Sequence, residues 1–130
     1  MYYMKLVVLT SIAIVLSWGH LNAHEMTPTY PKFEQAYVEG IYTTNMEIFN
    51  RRFDIDYYEI EVFNKDWEPV RFAAQSKIMT IGYLSTKKFQ VYVAANDLKD
   101  VEYICTKSKL YKGISTSVIS SKICSKIKRE

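Results

Sequence analysis

The sequence predicts an all-β protein: a single β-sandwich of about seven short antiparallel strands that follows a cleaved signal peptide. Short apolar and aromatic runs recur at spacings of about ten residues, and turn-forming residues separate them. Several runs alternate apolar and polar side chains with a period of two, which is typical of half-buried strands. Helical periodicity is nearly absent, so these runs favour a sandwich or a small barrel.

The first 23 residues have the pattern of a secretory signal peptide. Met1–Lys5 carries one positive charge, Leu6–Trp18 is an uncharged stretch of 13 residues, and the segment ends in the small residue Ala23. A membrane-spanning helix needs about 20 apolar residues, more than this stretch contains. We therefore expect cleavage after Ala23, a periplasmic or secreted location, and no stable membrane span in the mature chain.

The mature chain divides into a short lead-in and one domain. Residues 24–40 contain two closely spaced prolines, which favour an extended, irregular conformation. Residues 41–130 carry the strand patterns and form the predicted β-sandwich domain. The clearest strand is Tyr57–Phe63, in which apolar side chains alternate with glutamates. The other predicted strands are 41–44, 46–49, 70–74, 77–83, 88–94, 101–107 and 115–124. A turn is predicted at Asn64–Pro69.

Two cysteines, Cys105 and Cys124, remain in the mature chain. In an oxidising compartment an isolated pair is expected to form a disulfide. The two residues lie on consecutive predicted strands, and a hairpin centred near residues 114–115 brings them together. The chain-entropy argument gives such a bond a stabilising effect of about 3 kcal/mol.

Charge is distributed unevenly along the chain, although the net charge is only +3. Residues 34–68 contain nine acidic and three basic side chains, whereas residues 105–130 contain seven basic and one acidic. This asymmetry either steers binding partners or reflects two solvated faces. Nucleic acid is not an expected partner of an exported chain.

No residue pattern in the mature chain indicates catalysis, a cofactor or a metal site. His24 is the one histidine after the signal segment and lies at its N terminus, so no Ser-His or Cys-His arrangement is expected. Acidic pairs such as Glu59 and Glu61 fall on one solvent face of a strand, as structural residues do. The sequence therefore predicts a protein that is not an enzyme.

Binding through strand edges and aromatic side chains is the alternative to catalysis. Exposed edges of small sandwiches can accept or donate a strand. Trp67 in a turn, with Tyr57 and Tyr92 on outward faces, is a candidate contact surface because interfaces favour Tyr and Trp. The competing interpretation is that these rings pack under neighbouring loops.

Two segments resemble the N-terminal immunoglobulin-like domain of bacterial periplasmic pilus chaperones. They read YYEIEVFNKDWEPVRFAAQ and KKFQVYVAANDLKDVEYICTKSK, within a match of about Met46–Lys109. The resemblance implies an immunoglobulin-like sandwich that serves assembly of envelope structures. In this family a strand with alternating large apolar residues is donated to a subunit, and the nearest match here, 115–124, offers only Val118, Ile119 and Ile123. No basic pair matches the one with which these chaperones bind a subunit's C terminus.

The functional hypothesis is an exported protein-binding module, a chaperone-like or structural component of pilus, secretion or conjugation machinery. The alternative is a secreted inhibitor or effector that blocks an enzyme or a surface receptor through a rigid loop, such as Asn64–Pro69. A third hypothesis, a hydrolase with an unusual site, requires a deep pocket with two titratable groups. The sequence predicts a protein partner in the cell envelope without identifying it, and leaves the oligomeric state open.

Overall fold

The computed structural model describes residues 24–109 and 120–129, which fold into two antiparallel sheets packed against each other. Within these ranges the elements are β1 (Glu25–Thr27), β2 (Glu34–Gln35), β3 (Ile41–Phe49), β4 (Tyr57–Phe63), β5 (Ile78–Thr80), β6 (Thr86–Ala94), α1 (Ala95–Leu98), β7 (Tyr103–Lys109) and β8 (Lys122–Lys126). The predicted signal peptide, residues 1–23, lies outside the described part of the chain.

The first sheet contains β1, β2, β3 and β6, and the second contains β5, β4, β7 and β8 in that order. In the first sheet β6 pairs with β3 along its whole length, and β1 and β2 share the other edge of β3. The predicted all-β sandwich is confirmed.

The core lies between the two sheets and follows the predicted alternation. Fully burying an apolar side chain of this size contributes about 1.5–3 kcal/mol. The inward-facing residues of the two clearest strands are Tyr58, Ile60 and Val62 in β4 and Phe89, Val91 and Val93 in β6, each 9% exposed or less.

The segment 70–74, predicted as a strand, does not form one. Pro69 bridges Phe63 in the second sheet, whereas Ala73 bridges Tyr92 in the first. Because its two ends bond to different sheets, the segment cannot pair continuously with either. Within the predicted strand 77–83, only β5 (Ile78–Thr80) is observed as a strand. β8 (Lys122–Lys126) overlaps the end of the predicted last strand, 115–124, of which residues 115–119 lie outside the described part of the chain.

Residues 24–35 form an interrupted edge strand, β1 and β2, and residues 37–40 turn the chain into β3. Between β1 and β2 the chain leaves the edge of β3 and bonds to the β8 side of the sandwich. Ser125 Oγ donates to the Pro28 carbonyl (2.9 Å), and the Lys128 amide donates to the Pro31 carbonyl (2.8 Å). These bonds hold the two ends of the described chain together.

The disulfide between Cys105 and Cys124 is present. The two cysteines lie directly opposite each other in the β7–β8 pair, as the predicted hairpin register requires. The bond fixes β8, a five-residue strand that contributes one partly buried apolar side chain, Ile123, to the core. A covalent link therefore holds a strand that packing alone would retain weakly.

A buried polar network connects His24, the first described residue, to the β7–β8 pair. His24 is 1% exposed. Its Nδ1 lies 3.1 Å from Ser121 Oγ, and its Nε2 lies 2.9 Å from Thr106 Oγ1. The imidazole also packs against the Tyr58 ring, with centroids 4.7 Å apart. Burial lowers the pKa of His24 to about 4, so the ring is neutral at pH 7.

Removal of the disulfide is expected to destabilise the protein. The double substitution Cys105→Ser with Cys124→Ser should lower the free energy of unfolding by about 2–5 kcal/mol, because the bond constrains the unfolded chain. Urea unfolding of the oxidised protein, the reduced protein and the double variant measures this. The reduced protein is the control and should match the variant; an oxidised protein no more stable than either contradicts the structural role.

Acid is expected to destabilise the fold through His24. The pKa of this histidine is 6.5 as a model value and about 4 in the fold. Between these values the unfolded chain binds more protons, so stability falls as pH falls, by up to about 3 kcal/mol. Urea unfolding at several pH values between 4 and 7 measures the slope. His24→Gln keeps the carboxylate titrations and should show a shallower slope; equal slopes would contradict this assignment.

Candidate partner-binding groove

β6 presents a partly unpaired edge. β3 occupies one edge of this strand, and on the other edge Tyr92 and Ala73 exchange two backbone hydrogen bonds of 2.8 Å. Backbone groups alternate in direction along an antiparallel strand, so Lys88 and Gln90 point their N–H and C=O groups the same way as Tyr92. No described residue bonds to these groups. Such a row is a template for an added strand.

The edge is open because the chain leaves it after Ala73. Four residues later the Lys77 carbonyl accepts a hydrogen bond from the Ile60 amide (2.7 Å) in the second sheet. Residues 73–76 therefore cross from one sheet to the other and leave the preceding part of β6 uncovered.

A groove of about 1320 Å³ follows this edge. Residues 73–76 form one wall, and the first sheet forms the other. Apolar lining residues come from both sheets and include Met46, Met79 and Phe89. A few polar groups within an apolar lining are typical of sites that bind and orient a ligand.

Polar side chains of β3 and β6 that line the groove contact one another. Gln90 Nε2 donates to Asn45 Oδ1 (2.8 Å), and the Tyr92 hydroxyl donates to Gln90 Oε1. Lys88 Nζ lies 3.6 Å from Glu47 Oε1. Two of these contacts join β6 to β3 and the third lies within β6, and all three lie on the outer face of the first sheet.

Trp67 occupies a rigid turn after β4. Asn64 Oδ1 accepts hydrogen bonds from the Asp66 and Glu68 amides, both 2.9 Å, and the Asn64 carbonyl accepts from the Trp67 amide (3.0 Å). Trp67 has a φ of 62°, in the left-handed region that costs an L-residue about 1–2 kcal/mol. The turn thus holds a large side chain at a position that favours glycine.

The Trp67 ring is both packed and accessible. It stacks on Tyr103 with centroids 4.0 Å apart and an interplanar angle of 5°. The Phe63 ring contacts Trp67 with centroids 5.9 Å apart, and Lys122 Nζ lies 4.1 Å from the Phe63 centroid. Trp67 nevertheless remains 50% exposed. We call the turn Asn64–Glu68, with its stacked ring, the Trp67 turn.

The predicted contact residues do not form one surface. Tyr57 faces outward on the same sheet as the Trp67 turn, but it lies at the opposite end of β4, about 20 Å away. Tyr92 belongs to the other sheet and contributes to the groove. Val118 and Ile119 lie outside the described residues.

The groove was missed at the sequence level. The signal that could have found it is the pair Lys87 and Lys88 at the start of β6, since lysines are common on edge strands.

Another feature contradicts the sequence-based expectation. His24 and Ser121 are in contact, so the expectation that no Ser-His arrangement forms is wrong as geometry. The second ring nitrogen contacts Thr106 rather than a carboxylate, and the lowered pKa of His24 makes it a weak base. These features fit a structural network.

Across the described ranges, no group of three His, Cys, Asp or Glu side chains could hold a metal ion. No helix in the same ranges is long and apolar enough to cross a membrane.

No protein-family model matches the chain, and the search of curated proteins finds no match. The functional argument therefore rests on the geometry of the groove and of the Trp67 turn.

Amide hydrogen exchange tests the open edge. The amides of Lys88 and Gln90 should exchange rapidly, whereas those of Phe89 and Val91, which point toward β3, should be protected. Exchange followed by NMR on the oxidised protein compares these neighbours within one strand. Equal protection of all four amides would show that the edge is already paired.

Proposed function

We propose that this protein is an exported, non-enzymatic protein-binding module that takes up an extended segment of a partner along β6. It serves as a chaperone-like or structural component of pilus, secretion or conjugation machinery in the cell envelope. The observation that carries the proposal is the unpaired edge of β6 beside the groove. Strand addition of this kind derives affinity from backbone bonds and specificity from alternate side chains.

The energetics of the edge support this function. Lys88 and Gln90 together offer two donors and two acceptors, and each backbone hydrogen bond contributes about 0.5–1.5 kcal/mol net. An added strand also covers Ala73 and Ala74 beside the edge, which are exposed and half-buried, at about 25 cal/mol per Å² of apolar area removed from water. Both contributions act without any change in the chain path, so the edge is organised before a partner arrives.

Export is supported by the N-terminal segment and by the disulfide. The first 23 residues have the charge and hydropathy pattern of a signal peptide. The bond between Cys105 and Cys124 is of a kind that persists in the periplasm or outside the cell. The resemblance to pilus chaperones points to the same compartment.

The Trp67 turn supports a second function, that of a secreted inhibitor or effector. A strained, non-glycine left-handed residue persists where the surrounding structure holds it in place, and such residues often mark functional sites. Here the strain presents a half-exposed tryptophan, the residue type most enriched among interface hot spots. A rigid turn of this kind could enter the cleft of an enzyme or a receptor.

Two variants distinguish the functions. Gln90→Pro removes the outward amide at a position where proline leaves the β3–β6 bonds intact, and Gln90→Thr is its matched control with the amide retained. Trp67→Ala removes the exposed ring. Affinity capture from the native host, with each variant's melting temperature checked, compares the envelope proteins retained.

Strand addition predicts that Gln90→Pro loses a partner that wild type, Gln90→Thr and Trp67→Ala all retain. Loss with Trp67→Ala alone contradicts strand addition and supports the inhibitor function.

A further inference from the structure

The uncovered part of β6 carries two lysines. Lys88 is paired with Glu47 at 3.6 Å, but its side chain is 83% exposed, so water and salt screen the pair. Lys87 is exposed and forms no ion pair with any described residue. Glu47 is the acidic residue among the groove lining, against two lysines. The edge therefore presents excess positive charge to an incoming strand.

The side chains of β6 alternate between the two faces of the sheet, and this alternation determines the environment of each residue in an added strand. Phe89 faces the core and is 9% exposed, so the residue opposite it lies on the apolar side. Lys88 and Gln90 face outward, and the residues opposite them share that polar face. Lys87 lies on the same face as Phe89 but beyond the core, where its ammonium group remains in water.

The chain itself indicates the direction of the added strand. The bridge between Ala73 and Tyr92 is antiparallel, and it ends because the chain then crosses to the second sheet. A partner strand that continues this line runs antiparallel to β6 and lies opposite residues 90 to 86. Ala73 limits it at one end, so about five residues fit.

The same lysines disfavour a second copy of this chain as the occupant. Two β6 edges paired antiparallel would bring the lysines of both copies onto adjacent strands. Like charges opposite each other destabilise a strand pair, and edge lysines are a common protection against self-association. Carboxylates at the same positions would instead form favourable cross-strand pairs.

We infer that the β6 edge selects an acidic extended segment, which adds antiparallel with an apolar residue opposite Phe89 and carboxylates opposite Lys88 and Lys87. This inference rests on the proposed function, since it names the partner chemistry of the same groove.

Blocked pentapeptides test the inference. Read from the N terminus, an antiparallel guest has a polar residue, an apolar residue, two acidic residues and a polar residue. The probe is acetyl-Thr-Val-Glu-Glu-Thr-amide, and its matched controls carry Gln-Gln or Lys-Lys in place of Glu-Glu. NMR titration of the oxidised full chain follows the amides of Lys88 and Gln90.

The acidic peptide should bind about fivefold more tightly than the neutral one, as two cross-strand charge pairs predict. The difference should disappear in Lys87→Gln with Lys88→Gln and shrink at high salt. A spin label at the peptide's N terminus should broaden Gln90 more than Thr86.

The outcomes separate the two proposals. Equal binding of acidic and neutral peptides, tighter binding of the basic peptide, or stronger broadening of Thr86 overturns the inference and leaves strand addition standing. If no peptide shifts the Lys88 and Gln90 amides, strand addition itself is wrong. Shifts confined to the Trp67 turn would likewise contradict strand addition and would support the inhibitor function.

Discussion

The fold depends on pairing one buried hydroxyl. Tyr58 is 0% exposed, and its hydroxyl donates to Asn50 Oδ1 (2.5 Å). Asn50 in turn donates to the carbonyls of Ile55 and Ile81 (2.8 and 2.9 Å). An unpaired buried hydroxyl would cost about 1–3 kcal/mol, so the tyrosine fixes both connections at this end of the sandwich. Burial raises the pKa of Tyr58 to about 12, which keeps the hydroxyl protonated and able to donate. The His24 ring packs on the same tyrosine and joins the chain's first described residue to β7.

An open sandwich must leave edges, and this one protects them unequally. The edge formed by β1 and β2 is short and interrupted, and β5 has three residues. The C-terminal end of the β8 side is tied to the prolines between β1 and β2. By contrast, β6 has nine residues and a single backbone bridge on its outer edge. No described chain segment covers the edge before this bridge, and the charges of Lys87 and Lys88 protect it from pairing with a like edge. Charge of this kind repels a like edge while leaving the backbone groups available to a complementary strand.

Features that depend on neighbouring residues in the sequence, such as strand alternation, were predictable. Features that depend on which sheet a segment joins were not. Alternation placed Tyr58 and Phe89 in the core, and the spacing of Cys105 and Cys124 predicted their register. The segment 70–74 failed because strand propensity does not reveal which sheet each end will bond. The turn that contains Trp67 was predicted, but its left-handed backbone was not: the residue type argues against that conformation, and the turn's hydrogen bonds with the stacking on Tyr103 overcome that preference. The groove depends on where a crossing segment leaves an edge, and the sequence carries only an indirect signal of it, the pair Lys87 and Lys88.

The structure pairs some of the acidic residues of 34–68 with basic residues of 105–130. The acidic strand β4 lies beside β7, and β8 lies on the far side of β7, so part of the asymmetry is neutralised within the second sheet. Lys109 Nζ lies 2.6 Å from Glu59 Oε2, and Lys122 Nζ lies 3.6 Å from Glu61 Oε2. These opposite charges are therefore paired within one sheet rather than held on two separate steering faces. What remains for a partner is the charge outside these pairs, including Lys87 at the start of β6. A strand edge with unpaired backbone groups and residual positive charge is a more specific recognition element than the net charge of +3 indicates.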